Sequence, residues 1–171
     1  MPRILVVHHS KTGNTRRIAE EIAEGCDAEI EEIVARDARS GAWGDLIDAL
    51  QAVAGVRSPI APGLRRVADY DLVVIGTPVW SRSVCGPVRS YLHDHAGQFP
   101  AVALFCTSRW PGGASVLRDM AALCARAPVA TLALREHEIV WRQYGARLDE
   151  FLRQVGERRA EPRLVAHGVP A

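Results

Sequence analysis

The chain has 171 residues, 48% of them hydrophobic and 24% charged, and its 21 basic and 20 acidic side chains leave a formal net charge of +1. That length fits one α/β domain rather than a cofactor domain joined to a substrate domain, and the apolar content suffices for a packed core, which sets aside the disordered and fibrous classes. So even a charge balance excludes an overall field that recruits nucleic acid or an anionic membrane, and any electrostatic preference for a partner must be local.

Arg3–His8 reads RILVVH, a short run rich in β-branched residues that suits a strand buried on both faces of a parallel sheet. From Thr15 the period changes. Ile18, Ala19, Ile22 and Ala23 share one face, and Arg16, Arg17, Glu20 and Glu24 the other, up to Gly25, which predicts an amphipathic helix. Ala28–Val34 is a weaker strand, and the stretch Ala35–Tyr70 a long connector in which Gly41–Val53 has helical periodicity and Ser58–Gly63 is rich in turn residues. Asp71–Gly76 (DLVVIG) and Ala101–Cys106 (AVALFC) are strong strands, and Val129–Leu134 is a fifth. Helices are predicted at Val84–His95, with Pro87 in its first turn, at Ala114–Ala127, and within Ile139–Arg158. Strands alternating with helices predict one doubly wound, five-stranded parallel sheet with helices on both faces. Residues 1–159 form the expected domain and 160–171 an irregular tail containing Pro162, Gly168 and Pro170.

Cys26, Cys85, Cys106 and Cys124 lie far apart with no CxxC pair, and the longest clean apolar runs are strand length, so the expectation is a reduced, cytoplasmic protein with no membrane span. The histidines and cysteines show no metal-ligand spacing. Cys85 reads as a buried thiol, His8 and His9 as strand-end packing, and Trp43 and Trp141 as packing residues, with Trp43 an alternative rim for a site.

In open α/β sheets ligands bind beyond the carboxyl ends of the strands. The first loop there, Ser10-Lys11-Thr12-Gly13-Asn14-Thr15, places three hydroxyls around one glycine before a helix, an arrangement that suits a phosphate or simply a capped helix start. It lacks the Gly-Lys-Ser/Thr of a Walker A loop, and no GxGxxG occurs in the chain, which disfavours ATP, GTP and tightly bound NAD. The second loop, Gly76-Thr77-Pro78-Val79-Trp80-Ser81-Arg82-Ser83, carries a tryptophan whose flat apolar surface needs a ligand or a neighbour to cover it.

SxTGxT after the first strand together with GTPVW after the third resembles the flavodoxin family over residues 3 to about 155. The resemblance implies strand order 2-1-3-4-5 and FMN as cofactor. Its phosphate would lie on Ser10, Lys11, Thr12, Gly13, Asn14 and Thr15, and its ring against Thr77, Pro78, Val79, Trp80, Ser81 and Arg82. The third loop, Thr107-Ser108-Arg109-Trp110 with Pro111, Gly112 and Gly113, matches the family less well; Trp110 stands where an aromatic is usual, and the glycines would let backbone amides approach the ring.

The resemblance also implies electron transfer through the flavin to a redox partner protein or to a small acceptor such as a quinone. An NAD(P)H-dependent FMN reductase or quinone oxidoreductase of the same fold is one alternative, and a binding module without FMN another. No residue is required as acid, base or nucleophile. Two departures stand out. Where electron-carrier flavodoxins are acidic, this chain puts Arg82 and Arg109 in the ring loops, and a cation about 8 Å from the reduced flavin anion is worth roughly 2 kcal/mol at an effective dielectric near 20. Ser81, Arg82 and Ser83 also replace the usual glycine beside the ring, and because a positive φ is unfavourable for them, two-electron chemistry is expected. The oligomeric state is not legible.

Overall fold

A computed structural model describes residues 3–36 and 57–160. The expected helix at Gly41–Val53, Trp43 within it, and the tail beyond Ala160 lie outside the described residues.

Strand β1 (Ile4–His8) is buried along its whole length and pairs in parallel with β2 (Glu29–Glu32) on one side and β3 (Leu72–Trp80) on the other. Parallel pairing continues from β3 to β5 (Val102–Ser108) and from β5 to β6 (Thr131–Arg135), giving the order β2-β1-β3-β5-β6. This is the doubly wound sheet expected from the alternating pattern, with one addition. A two-residue strand, β4 (Ser83–Val84), folds back antiparallel on the end of β3 and pairs Trp80 with Ser83 and Val79 with Val84. The strand expected to stop at Gly76 therefore runs four residues further, because this hairpin supplies its end with backbone partners.

Alternation along the strands separates two cores. Ile4, Val6, Val74 and Phe105 pack against α1 (Asn14–Cys26) and α5 (Gly145–Ala160), whereas Leu5, Val7, Ile75 and Leu104 pack against α2 (Gly86–Asp94) and α3 (Gly113–Cys124). In α1 the buried stripe is the one read from the sequence, Ile18, Ala19, Ile22 and Ala23, extended by Cys26. Pro87 sits in the first turn of α2, where its missing N–H costs nothing. The closing helix expected within Ile139–Arg158 is α5, and a short helix not expected from the sequence, α4 (Glu136–Val140), precedes it; the two part at Trp141–Tyr144, where Arg142 takes φ 52°. Trp141 is exposed rather than packed. In the connector, residues 58–63 run without regular structure apart from one antiparallel bridge between Ala35 and Ile60.

Gly76 in the central strand is required by its neighbour. The Phe105 ring on β5 lies across it, and a β-carbon built there would stand 2.0 Å from Phe105 Cζ. Gly76→Ala is expected to destabilise the fold by about 1–3 kcal/mol in a denaturant melt, and Phe105→Leu in the same chain to recover part of the loss.

Candidate functional site

The carboxyl ends of β1, β3 and β5 bring the three loops together, since His8 pairs with Gly76 and Pro78 with Thr107 across adjacent strands. The first loop ends at Gly13, which takes φ 93° as the residue preceding α1. Its N–H donates to Ser10 Oγ at 3.1 Å, and its carbonyl accepts the first helical bond, from Arg17 N–H at 2.9 Å. No side chain caps this helix and its first turn holds no acidic residue. The amides of Asn14, Thr15 and Arg16 therefore have no acceptor within the helix or from a capping side chain at its positive end, a cradle for an anion. Thr12 and Lys11 are exposed beside it.

Thr15 is buried, and its hydroxyl lies 2.7 Å from that of Thr107, which ties the first loop to the end of β5. Beneath the loop, His8 is 2% exposed, and neither ring nitrogen has a hydrogen-bond partner among the described residues. Burial depresses its pKa from 6.5 to about 4; Glu32 opposes that shift weakly, while Arg16 and His9 add to it, so the ring is neutral at pH 7. His9 places Nδ1 2.8 Å from the Ile33 carbonyl oxygen, which makes Nδ1 the protonated nitrogen, and sets its ring edge-on to Trp80 at 5.8 Å. Both histidines thus pack at the strand end, as read from the sequence.

Trp80 is half-buried, between the His9 ring and the Lys11 ammonium 5.6 Å from its centroid. The loop to which it belongs is a tight hairpin whose two central residues, Ser81 (φ 48°) and Arg82 (φ 61°), both occupy the left-handed region. The expectation that these residues avoid positive φ is thus overturned. Pairing Trp80 with Ser83 leaves only two residues for the turn, and the type I′ turn that closes it takes positive φ at both. Ser81→Gly is expected to stabilise the protein by up to about 1 kcal/mol, read as a rise in Tm.

Thr77 does not offer its side chain to the loop cluster. It is fully buried, with its hydroxyl 2.9 Å from the Pro78 carbonyl oxygen and 3.3 Å from Cys85 Sγ, and accepts the Cys85 N–H at 3.4 Å. Pro78 and Val79 are half-buried at the hairpin base, and Cys85 is a buried thiol just before α2.

In the third loop Trp110 is 73% exposed, a large apolar surface at the rim. Gly112 (φ 127°) faces the second loop: a β-carbon on it would stand 3.9 Å from Arg82 Nε. Gly113 serves packing, because a β-carbon there would meet Ala133 Cβ at 2.8 Å and Cys106 Sγ at 3.0 Å. Thr107 and Ser108 are buried, and Ser108 with Gly112, Arg135 and Arg147 borders a cavity of about 270 Å³ on the β6 side of the loop. Arg109 is drawn to Glu136, the first residue of α4, at 2.9 Å, and the other Glu136 oxygen lies 3.5 Å from Asn14 Nδ2. The positive charge expected from Arg109 near a ring is therefore answered by a carboxylate, and of the two arginines only Arg82 retains it.

Glu136 was not singled out in the sequence, although it follows the last strand and so lies at the same sheet edge as the three loops. Among the described residues no group of His, Cys, Asp and Glu could hold a metal, and no helix is long and apolar enough to cross a membrane.

No family model matches the chain. Over 100 residues, 56% of its length, it is 31% identical to an NAD(P)H dehydrogenase (quinone) of Geotalea daltonii and covers 48% of that protein. The chain thus spans about half the length of that relative. Its structure resembles that of a flavoprotein in complex with FMN from Lactobacillus acidophilus NCFM, with TM-score 0.68 and 22% identity over 88% of this chain and 99% of the other. It also resembles a short-chain flavodoxin, with TM-score 0.56 and 11% identity over 92% and 98%. At these identities the structural likenesses bear on the fold.

Proposed function

The chain has the flavodoxin-like fold, and from that premise we propose that it binds FMN across its three loops and works as an oxidoreductase, taking electrons from NAD(P)H and passing them to a small acceptor such as a quinone. The observation that supports this is the uncapped amino end of α1 behind Gly13 in the left-handed region, where the Asn14, Thr15 and Arg16 amides, with the Ser10 and Thr12 hydroxyls in the same loop, would hold a phosphate. This donor set fits the FMN phosphate, and the tryptophans at Trp80 and Trp110 fit its ring. The printed names of the similar proteins, an FMN-bound flavoprotein and an NAD(P)H dehydrogenase (quinone), support the same reading.

When bound, FMN supplies the electron chemistry. The chain's own part is to hold the phosphate at the α1 amino end, to cover the ring with Trp80 and Trp110, and to fix the spacing of the first and third loops through the Thr15–Thr107 hydroxyl pair and the Asn14–Glu136–Arg109 link. Residues 1–159 would be the FMN-binding domain. Four buried cysteines that form no disulfide suit a reducing, cytoplasmic setting.

Protein incubated with FMN and freed of excess ligand is expected to retain the flavin visible spectrum and to bleach anaerobically on addition of NADPH, with colour restored by a quinone. A colourless protein after this treatment would favour a binding module without FMN. A yellow protein that NADPH does not bleach would favour a carrier served by a redox partner protein.

A further inference from the structure

We propose that the β3–β4 hairpin, through Arg82 with Arg89 behind it, is the docking site for the phosphates of a dihydronicotinamide dinucleotide. The inference rests on the reading above, in which FMN lies between the second and third loops. It starts from how the arginines are paired. Several arginines among the described residues bond carboxylates: Arg16 bonds Glu32, Arg109 bonds Glu136 and Arg147 bonds Glu138. The two at the hairpin do not.

Arg82 is exposed at the apex and has neither an ion pair nor a hydrogen bond among the described residues, although its side chain reaches across to Gly112 in the third loop. Arg89, half-buried on α2, gives one N–H to Ser83 Oγ at 2.9 Å, while its Nε is buried without a partner and no carboxylate among the described residues answers its charge. Two cations without counter-ions among the described residues thus stand at one hairpin, Arg82 at its apex and Arg89 against Ser83 beside the turn. A guanidinium left unpaired in such a place matches the geometry of a phosphate.

The backbone points the same way. Ser81 and Arg82 hold the left-handed region without glycine, an arrangement unfavourable to side-chain-bearing residues. A glycine would satisfy the turn at lower cost but would remove the guanidinium that the turn presents. Arg109 is not the docking cation, because Glu136 holds it at 2.9 Å.

The test measures NADP+ binding to the FMN-loaded protein by calorimetry, and anaerobic bleaching by NADPH and by reduced nicotinamide riboside, which has the same reducing ring and no phosphate. Arg82→Gln is expected to raise the NADP+ dissociation constant about tenfold or more, Arg89→Gln to raise it less, and Arg82→Lys to recover part of the loss. The efficiency of NADPH relative to the neutral riboside should fall by the same factor, and the salt dependence of NADP+ binding should weaken. Arg66→Gln, an exposed arginine just before β3 at the opposite sheet edge, serves as control. An NADP+ affinity unmoved in both hairpin variants would overturn the proposal, and so would an equal loss of efficiency with the neutral donor. Failure of the underlying reading shows separately, as protein that never acquires flavin colour; calorimetry of NADP+ with that protein still decides whether the hairpin binds a dinucleotide.

Discussion

Valine at both Thr12 and Thr15 is expected to weaken FMN binding by about two to four orders of magnitude, since each hydroxyl donated to a charged group is typically worth about 1.5–3 kcal/mol and each 1.4 kcal/mol is tenfold. Thr12 is exposed at the α1 amino end, so its replacement removes a donor and little else. Thr15 requires more care, because its hydroxyl lies 2.7 Å from that of Thr107. The pair has two protons and one mutual bond. With Thr107 as donor, the Thr15 proton is left for a phosphate oxygen. Thr15→Val alone leaves the Thr107 hydroxyl buried without its partner and should also lower stability, by about 1–3 kcal/mol, while Thr15→Val with Thr107→Val should relieve part of that cost. A flavin fluorescence titration separates the two effects. Loss of FMN affinity in the folded Thr12/Thr15 variant supports the phosphate assignment, and affinity within threefold of the parent would remove it.

Acidification from pH 7 to pH 4 is expected to cost about 3 kcal/mol of stability through His8 alone. Its folded-state pKa is about 4 against 6.5 for the free side chain. Between these values the unfolded chain binds a proton that the folded chain refuses. Stability is therefore fully present above pH 6.5 and drains away as pH falls toward 4. The cause is burial of a ring whose nitrogens have no partners among the described residues; Arg16 on α1 adds to that effect and Glu32 on β2 does not reverse it. His8→Phe keeps a planar ring without the titrating group, so its stability should be flat across this window where the parent's slopes. Urea melts at several pH values check both, and an equal slope in the two proteins would contradict the assignment.

The two cores and the site's first loop are legible in the sequence because each has an unambiguous physical signal. RILVVH and AVALFC are apolar runs of strand length, α1 has a clean 3.6-residue stripe, and Gly13 among hydroxyl residues marks the helix start. The hairpin is not legible, because Ser-Arg lacks the Asn-Gly or Gly-Gly signature of a two-residue turn and is imposed by the pairing of Val79 and Trp80 with Ser83 and Val84. Helix α4 escapes a reading by periodicity because its five residues, Glu136–Val140, are too few to show a helical repeat. Thr77 looks like a loop residue in GTPVW, but β3 runs on to Trp80 and turns its hydroxyl inward. Glu136 and Arg89 carry charge relationships that only the folded chain displays: one neutralises Arg109, and the other joins Arg82 at the hairpin. Net charge near zero thus conceals a local division, with paired arginines at the third loop and unanswered ones at the second.

The most direct measurement of the central claim is an equilibrium titration of the flavin-free protein with FMN and, in parallel, with riboflavin, followed by flavin fluorescence. A phosphate held at the α1 amino end predicts one FMN per chain and riboflavin bound weaker by at least about a hundredfold, since only FMN brings the charge that these donors meet. Riboflavin bound as tightly as FMN, or no binding of either, would contradict it.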